Sequence, residues 1–168
     1  MRYMLFEISP GARSTWQSLP GSVRRHVELL PGGAASTEGF WTPRFAMASL
    51  PWTTFSTRRS IEDVGRLLST AFPGLLRRVV DVAVGRRIVV RLECEGQHKG
   101  MWQGFVCPTG RRVAFDERHE VRVSGTRIVA DRMTLDLHAI LAQLCGSNRV
   151  DNPPMTAWWA PAKAAMRS

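Results

Sequence analysis

The sequence predicts an α+β domain in which helices pack on a strongly curved antiparallel sheet. Apolar residues keep a helical period in the segments ending at Leu30 and Phe72, and from Leu75 the period changes to two. The alternating runs are joined by short turns, which makes consecutive strands hairpin partners.

Ser22 to Leu30 reads as a short helix, with Val23, Val27 and Leu30 at helical spacing and Pro31-Gly32-Gly33 as its stop. Glu38 to Phe55 is rich in aromatic residues (Phe40, Trp41, Phe45, Trp52, Phe55) and broken by Pro43 and Pro51, the composition of a core or pocket wall. Ser60 to Phe72 is the clearest helix: Ser60 is an N-cap residue, Glu62 and Asp63 complement the helix dipole, and Ile61, Val64, Leu67 and Leu68 share one face. Pro73-Gly74 ends it.

Leu75 to Val84 reads as a strand with Val80, Val82 and Val84 on one side and Val79, Asp81 and Ala83 on the other. Ile88 to Glu95 follows, and its apolar face is Ile88, Val90, Leu92 and Cys94. That pattern turns Arg91, Glu93 and Glu95 to solvent. After a connection over Gly96 to Gly110, Arg112 to Val123 carries Val113, Phe115, Glu117, His119, Val121 and Val123 on one face. Arg127 to Leu135 is the fourth strand, and Asp136 to Leu144 closes as a short helix. Residues 1–146 form one domain on this reading. Residues 147–168, with Pro153-Pro154 and Trp158-Trp159, form a tail whose indoles need an apolar surface to dock on.

Composition narrows the function. At 168 residues with 44% hydrophobic content the chain suits one core. No apolar run approaches the roughly 20 residues that span a bilayer. A short Met4-Leu5-Phe6 followed by Glu7 makes a poor signal-peptide core, so a soluble cytoplasmic protein is expected. Three scattered cysteines (Cys94, Cys107, Cys145) give neither a disulfide framework nor a zinc site. The net charge of +9 is spread over short arginine pairs, with no RNA-binding aromatic motif and no Cys/His finger, so a nucleic-acid partner is not expected.

The histidines divide by position. His119 lies inside an otherwise apolar strand face, where an imidazole needs a partner or a task. Glu117, on the same face, is either that partner or a second acid. His26 and His138 sit on helices beside charged or polar neighbours and read as surface residues.

Several segments then resemble one family in order and spacing. These are Ala71-Phe72-Pro73, Ile88 to Arg91 (its "VVVR"), Gly96 to Gly100 (its "GTHTG"), Phe105 to Phe115 (its "GIPPTGRRVTF") and Val121 to Val129 (its "YRVADGKIV"). The stretch from Ser60 to Leu144 resembles a SnoaL-like polyketide cyclase, of the superfamily sharing the nuclear-transport-factor-2-like cone. The resemblance implies a pocket between sheet and helices, a small-molecule substrate, a homodimer, and acid–base catalysis with no metal or organic cofactor.

One departure stands out. The family's acid–base aspartate, in "EHWDEWD", falls at Met133, which cannot move a proton. Asp131, two residues earlier and on the same strand face, is the substitute, unless it sits at a solvated strand end. Arg91 and Glu93 resemble the Arg-x-acid pair of limonene-epoxide-hydrolase-type relatives, which would turn them into the pocket. His98 matches the histidine of "GTHTG" and either binds substrate or caps a turn.

The resulting expectation is a cyclase or isomerase of polyketide- or terpenoid-type metabolism. His119 moves the proton, Glu93 or Asp131 is the partner acid, and Arg91 stabilises oxyanion charge. Trp41, Phe45, Trp52, His98, Trp102, Glu117 and Met133 line the substrate site. A non-catalytic ligand-binding protein and an epoxide-opening enzyme are the alternatives.

Overall fold

The computed structural model describes residues 5–29, 58–102 and 106–146. Expectations that fall on residues 30–57 and 147–168, including those for Trp41, Phe45, Trp52 and Trp158-Trp159, lie outside the described residues.

The elements run β1 (Leu5–Ile8), α1 (Pro10–Ser18), α2 (Gly21–Leu29), α3 (Arg58–Ala71), β2 (Leu76–Val84), β3 (Ile88–Gln97), β4 (Arg112–Ser124), β5 (Arg127–Leu135) and α4 (Leu137–Cys145). The five strands form one sheet in the order β1-β2-β3-β4-β5. Strands β2 to β5 are an antiparallel meander, as the alternation predicts. The sheet as a whole is mixed, because β1 lies parallel to β2, with Leu5 beside Leu76 and Ile8 beside Val79. Parallel strands need a crossover connection, here supplied by α1, α2 and α3. Neither β1 nor α1 carries a strong sequence signal. The strand is four residues long, and α1 buries only Ala12 and Trp16, one turn apart.

Helix α3 begins two residues before Ser60 and buries Ile61, Val64, Leu68 and Ala71. The loop after β3 closes on its C-terminal end: the Lys99 and Gly100 amides both donate to the Ala71 carbonyl, at 2.9 and 3.1 Å. Residue 100 must be glycine, since a Cβ there would lie 2.0 Å from the Thr70 carbonyl oxygen. Helix α4 is capped by Asp136, whose carboxylate accepts from the Ala139 amide, and by Gly146 in the left-handed conformation at φ 77°.

Two bulges decide which residues face inward. In β2 the register shifts between Val79 and Asp81, so strict alternation fails there. Arg77, Val79 and Val82 are buried, whereas Val84 is exposed. The expected division of β2 into two alternating faces is corrected accordingly. In β5 the register shifts between Arg122 and Val123 of its partner, which lets Ile128 and Asp131 both point inward. The core lies between this inner sheet face and α1, α2 and α3, with Trp16, Val23, Val27, Ile61 and Leu68 opposite Val90, Leu92, Val121 and Ile128.

Candidate active site

The inner face is apolar except for one chain of ionisable groups. Arg77 from β2, Glu117 and His119 from β4, Asp131 from β5 and His26 from α2 are each at most 1% exposed. Strand period places them there: Glu117 and His119 alternate with outward Asp116, Arg118 and Glu120, and Asp131 alternates with outward Arg132.

The chain is continuous. Arg77 grips Glu117 with both arms of its guanidinium, Nε donating to Oε2 at 3.0 Å and Nη2 to Oε1. Its remaining amine donates to the Val27 carbonyl on α2 at 2.6 Å. His119 Nε2 donates to Glu117 Oε1 at 2.7 Å, and its Nδ1 donates to Asp131 Oδ2 at 2.8 Å. Asp131 Oδ2 also accepts from His26 Nε2 at 2.9 Å. The thiol of Cys94 lies 3.5 Å from Glu117 Oε2.

Electrostatics follow from this order. Burial alone would raise the carboxyl of Glu117, but the Arg77 charge and the His119 contact outweigh it and hold the group at about 2. Burial disfavours charge on His119, yet Asp131 and then Glu117 push its ring up to about 9. Asp131 is likewise held well below the usual carboxylate range against its burial, chiefly by His119. His26 goes the other way: burial lowers it, and the Asp131 contact only partly compensates. At neutral pH the chain is therefore Arg⁺, Glu⁻, imidazolium, Asp⁻ and a neutral imidazole, with no net charge.

Its balance bears on metal binding. The nitrogens of His26 and His119 and the Asp131 carboxylate converge within 4.8 Å. Both rings already donate N–H groups to Asp131, and a divalent ion would place uncompensated positive charge in a fully buried setting. The arrangement fits protons better than a cation.

The expected site residues are thus partly brought together. Glu117, His119, Asp131 and Met133 share the inner face, Met133 lying opposite His119 in the β4–β5 register at 1% exposure. Asp131 is not at a solvated end. Arg91 and Glu93 lie on the outer face, paired with each other at 3.3 Å, and Arg91 reaches Asp116 at 3.8 Å. Neither contacts the buried chain, and β3 pairs with β4 from Ile88 to Gln97 without a register shift. Their pocket assignment is corrected: the simple alternation of Ile88, Val90, Leu92 and Cys94 sets their direction. His98 is buried at the end of β3, where its Nδ1 accepts from the Thr109 amide at 3.1 Å, and its ring packs on Phe72. Trp102 packs on the same phenyl ring and is 1% exposed, so both belong to the core around Phe72.

Sequence reasoning missed two members. Arg77 hides in the pair Arg77-Arg78, although it lies two residues from buried Val79 on a strand. His26 was expected at the surface, and this is corrected by its 0% exposure. Three residues after Val23 and one before Val27, it lies at the edge of the helix face that packs inward.

Residues 36–144 match the family model described as SnoaL-like polyketide cyclase, starting earlier than the resemblance legible from Ser60. No curated protein sequence matches the chain. Solved structures with the same fold include AclR from Streptomyces galilaeus, a candidate hydroxylase. It is 21% identical with a TM-score of 0.64, over 90% of this chain and 92% of that one. A candidate SnoaL-like polyketide cyclase from Jannaschia is 20% identical with a TM-score of 0.62, over 83% and 97% of the two chains. IdmH from Streptomyces antibioticus, a candidate polyketide cyclase, is 24% identical with a TM-score of 0.60, over 74% and 96%. The fold is that of the nuclear-transport-factor-2-like proteins, α+β as the sequence predicts.

Proposed function

The chain belongs to the SnoaL-like polyketide cyclase family, and from that premise we propose that it is a cofactor-independent acid–base cyclase or isomerase. Its substrate would be a polyketide- or terpenoid-type carbonyl compound of specialised metabolism. Family resemblance also supports a homodimer working in the cytoplasm. The observation that carries the enzymatic reading is the buried Arg77–Glu117–His119–Asp131–His26 chain in an otherwise apolar inner face.

Five ionisable groups are costly to bury, and structure alone rarely requires so many in one line. Their chemistry suits proton movement in a ring closure. A C–H bond next to a carbonyl breaks, the proton passes to the chain, and the enolate carbon bonds to a second carbonyl. The resulting alkoxide then recovers a proton from the chain. Atoms balance without oxidant or ion. Met133 removes the family acid, and the Glu117–His119–Asp131 group takes over the inner face beside it. With Arg91 and Glu93 outside, the epoxide-opening alternative loses its water-activating pair.

The test is a linear poly-β-keto ester, with the cyclic product followed over time. Ring closure is expected, and His119→Gln should slow it by about 10²–10⁴. The second reading, a ligand-binding protein without turnover, draws on the internal satisfaction of the chain, most of whose polar atoms bond to one another. Binding of the ester without acceleration of ring closure would decide for it.

A further inference from the structure

One member of the buried chain, the arginine at its end, has no task in that proton movement. Resting on the acid–base reading, we infer that Arg77 is a positioning residue: its forked grip holds Glu117 as a fixed anionic anchor that aims the His119 ring.

Geometry separates Arg77 from any direct part in the chemistry. Its Nε and Nη2 both donate to Glu117, and its Nη1 donates to the Val27 carbonyl at 2.6 Å. The guanidinium carbon lies over the Phe6 ring at 5.9 Å from its centroid. All three nitrogens are thus bonded within the protein, and a guanidinium has no lone pair with which to take a proton. On one side it meets the carboxylate of β4. On the other it is held by β1 and α2, which the crossover brings to the sheet.

The reach across the sheet is built in. Arg77 on β2 must cross β3 to meet β4, and the residue opposite it on β3 is Cys94, whose small side chain leaves the path open. The Cys94 thiol itself lies 3.5 Å from Glu117 Oε2. A guanidinium takes both carboxylate oxygens at once, whereas a lysine ammonium acts as a point charge. With both oxygens held by the fork, Glu117 Oε1 is presented to His119 Nε2 at 2.7 Å. The imidazole is then strung between Glu117 and Asp131, whose Oδ2 it meets at 2.8 Å.

Charge points the same way. The groups facing Glu117 are Arg77 from β2, Cys94 from β3 and His119 from β4, with Asp131 of β5 and His26 of α2 next along the chain. Arg77 is the one permanent cation among them. Two carboxylates around one imidazolium leave an excess of one negative charge, which Arg77 cancels. Without it, Glu117 is neutralised by a proton instead, and a carboxyl carrying its own hydrogen is no longer a fixed acceptor for His119. Arg78 supplies an internal control. It is the same side chain one residue on, and it pairs with Glu7 at 3.0 Å on the exposed side.

Carbon-resolved NMR of the labelled full chain follows the Glu117 carboxyl against pH, beside the kinetics of ring closure on the poly-β-keto ester. In the wild type Glu117 should titrate toward 2 rather than near 4.5. Titration near 4.5 overturns the inference, and this arm needs no variant. In Arg77→Lys, which keeps the charge without the fork, the Glu117 titration should move up. Its kcat should fall with KM unchanged, because Arg77 touches no substrate. Arg78→Lys should alter neither. A folded Arg77→Lys with wild-type titration and wild-type kcat overturns the inference, while ring closure by the wild type keeps the acid–base reading standing. Poor folding of Arg77→Lys is met by the double variant Arg77→Met with Glu117→Gln. Removing both partners should restore stability, yet ring closure should stay slower by as much as about 10²–10⁴, because His119 has lost its anchor. Recovery of the rate along with stability makes Arg77 a scaffold and overturns the inference. No ring closure by the wild type removes the acid–base reading, and the positioning role falls with it.

Discussion

The two faces of one sheet use the same residue types to opposite ends. On the inner face Arg77, Glu117, His119 and Asp131 are sealed from water and strongly displaced in proton affinity. On the outer face of the same strands, Arg91–Glu93, Arg118–Glu120 and Arg112–Glu95 form pairs at 3.3, 2.8 and 3.0 Å. The outer pairs retain water around at least part of each group, so their attraction is screened and they tolerate loss. Inside, each charge exists only because its neighbour does. Charge of this kind marks a site when the solvent has been removed, and a solubilising surface when it has not.

The largest effect should come from breaking the inner pair. Arg77→Met leaves the buried chain one positive charge short beside Glu117, and should cost roughly 3–5 kcal/mol in chemical denaturation. Adding Glu117→Gln to it should recover much of that loss, because the stranded charge is removed. No loss in the single variant would equate the two faces. Next comes Met133→Asp, which restores the family residue at a 1% exposed position opposite His119. A third carboxylate there has no partner of its own, and a loss of at least about 2 kcal/mol is expected. A variant as stable as wild type would show that the inner face has spare positive charge.

Stability should also track pH through the same groups. His119 is raised from 6.5 to about 9, so its contribution is complete below 6.5 and is lost as pH climbs through 9. Glu117 is lowered from 4.5 to about 2, so its contribution is present above 4.5 and disappears as pH falls toward 2. His26 is lowered from 6.5, and the folded state is penalised as pH drops below that value. Melting temperature should therefore peak near neutrality and fall on both sides. In His119→Gln the alkaline fall should flatten. A flat profile in wild type would mean that His119 is not charged.

The smallest effect belongs outside. Arg91→Ala should change stability by less than about 1 kcal/mol, and the change should shrink further in high salt. A loss comparable to that of Arg77→Met would mean that the outer face is covered in solution.

The contrast also explains what was legible in the sequence. Period two gave all four meander strands, their faces in β3 and β4, and His119 among apolar neighbours. It failed at β2, where one extra residue shifts the pattern and hides Arg77. Resemblance suggested that Arg91 and Glu93 point into the pocket, but the unshifted β3–β4 register points them out. His26 was lost for another reason. Nine residues of helix with a polar majority do not show whether a histidine at the edge of the apolar stripe meets water or a carboxylate from a strand. That depends on Asp131, more than a hundred positions away. Long-range pairing of polar groups has no period, and a single sequence shows none of it.

The parallel seam between β1 and β2 has a kinetic meaning. The hairpins β2 to β5 join neighbours in sequence, whereas β1 must find β2 after the chain between them has been spanned. Closing so long a loop is slow compared with forming hairpins. The meander is therefore expected to form first, with Glu117 and Asp131 already on one face, and the His26–Asp131 contact to close only when α2 docks.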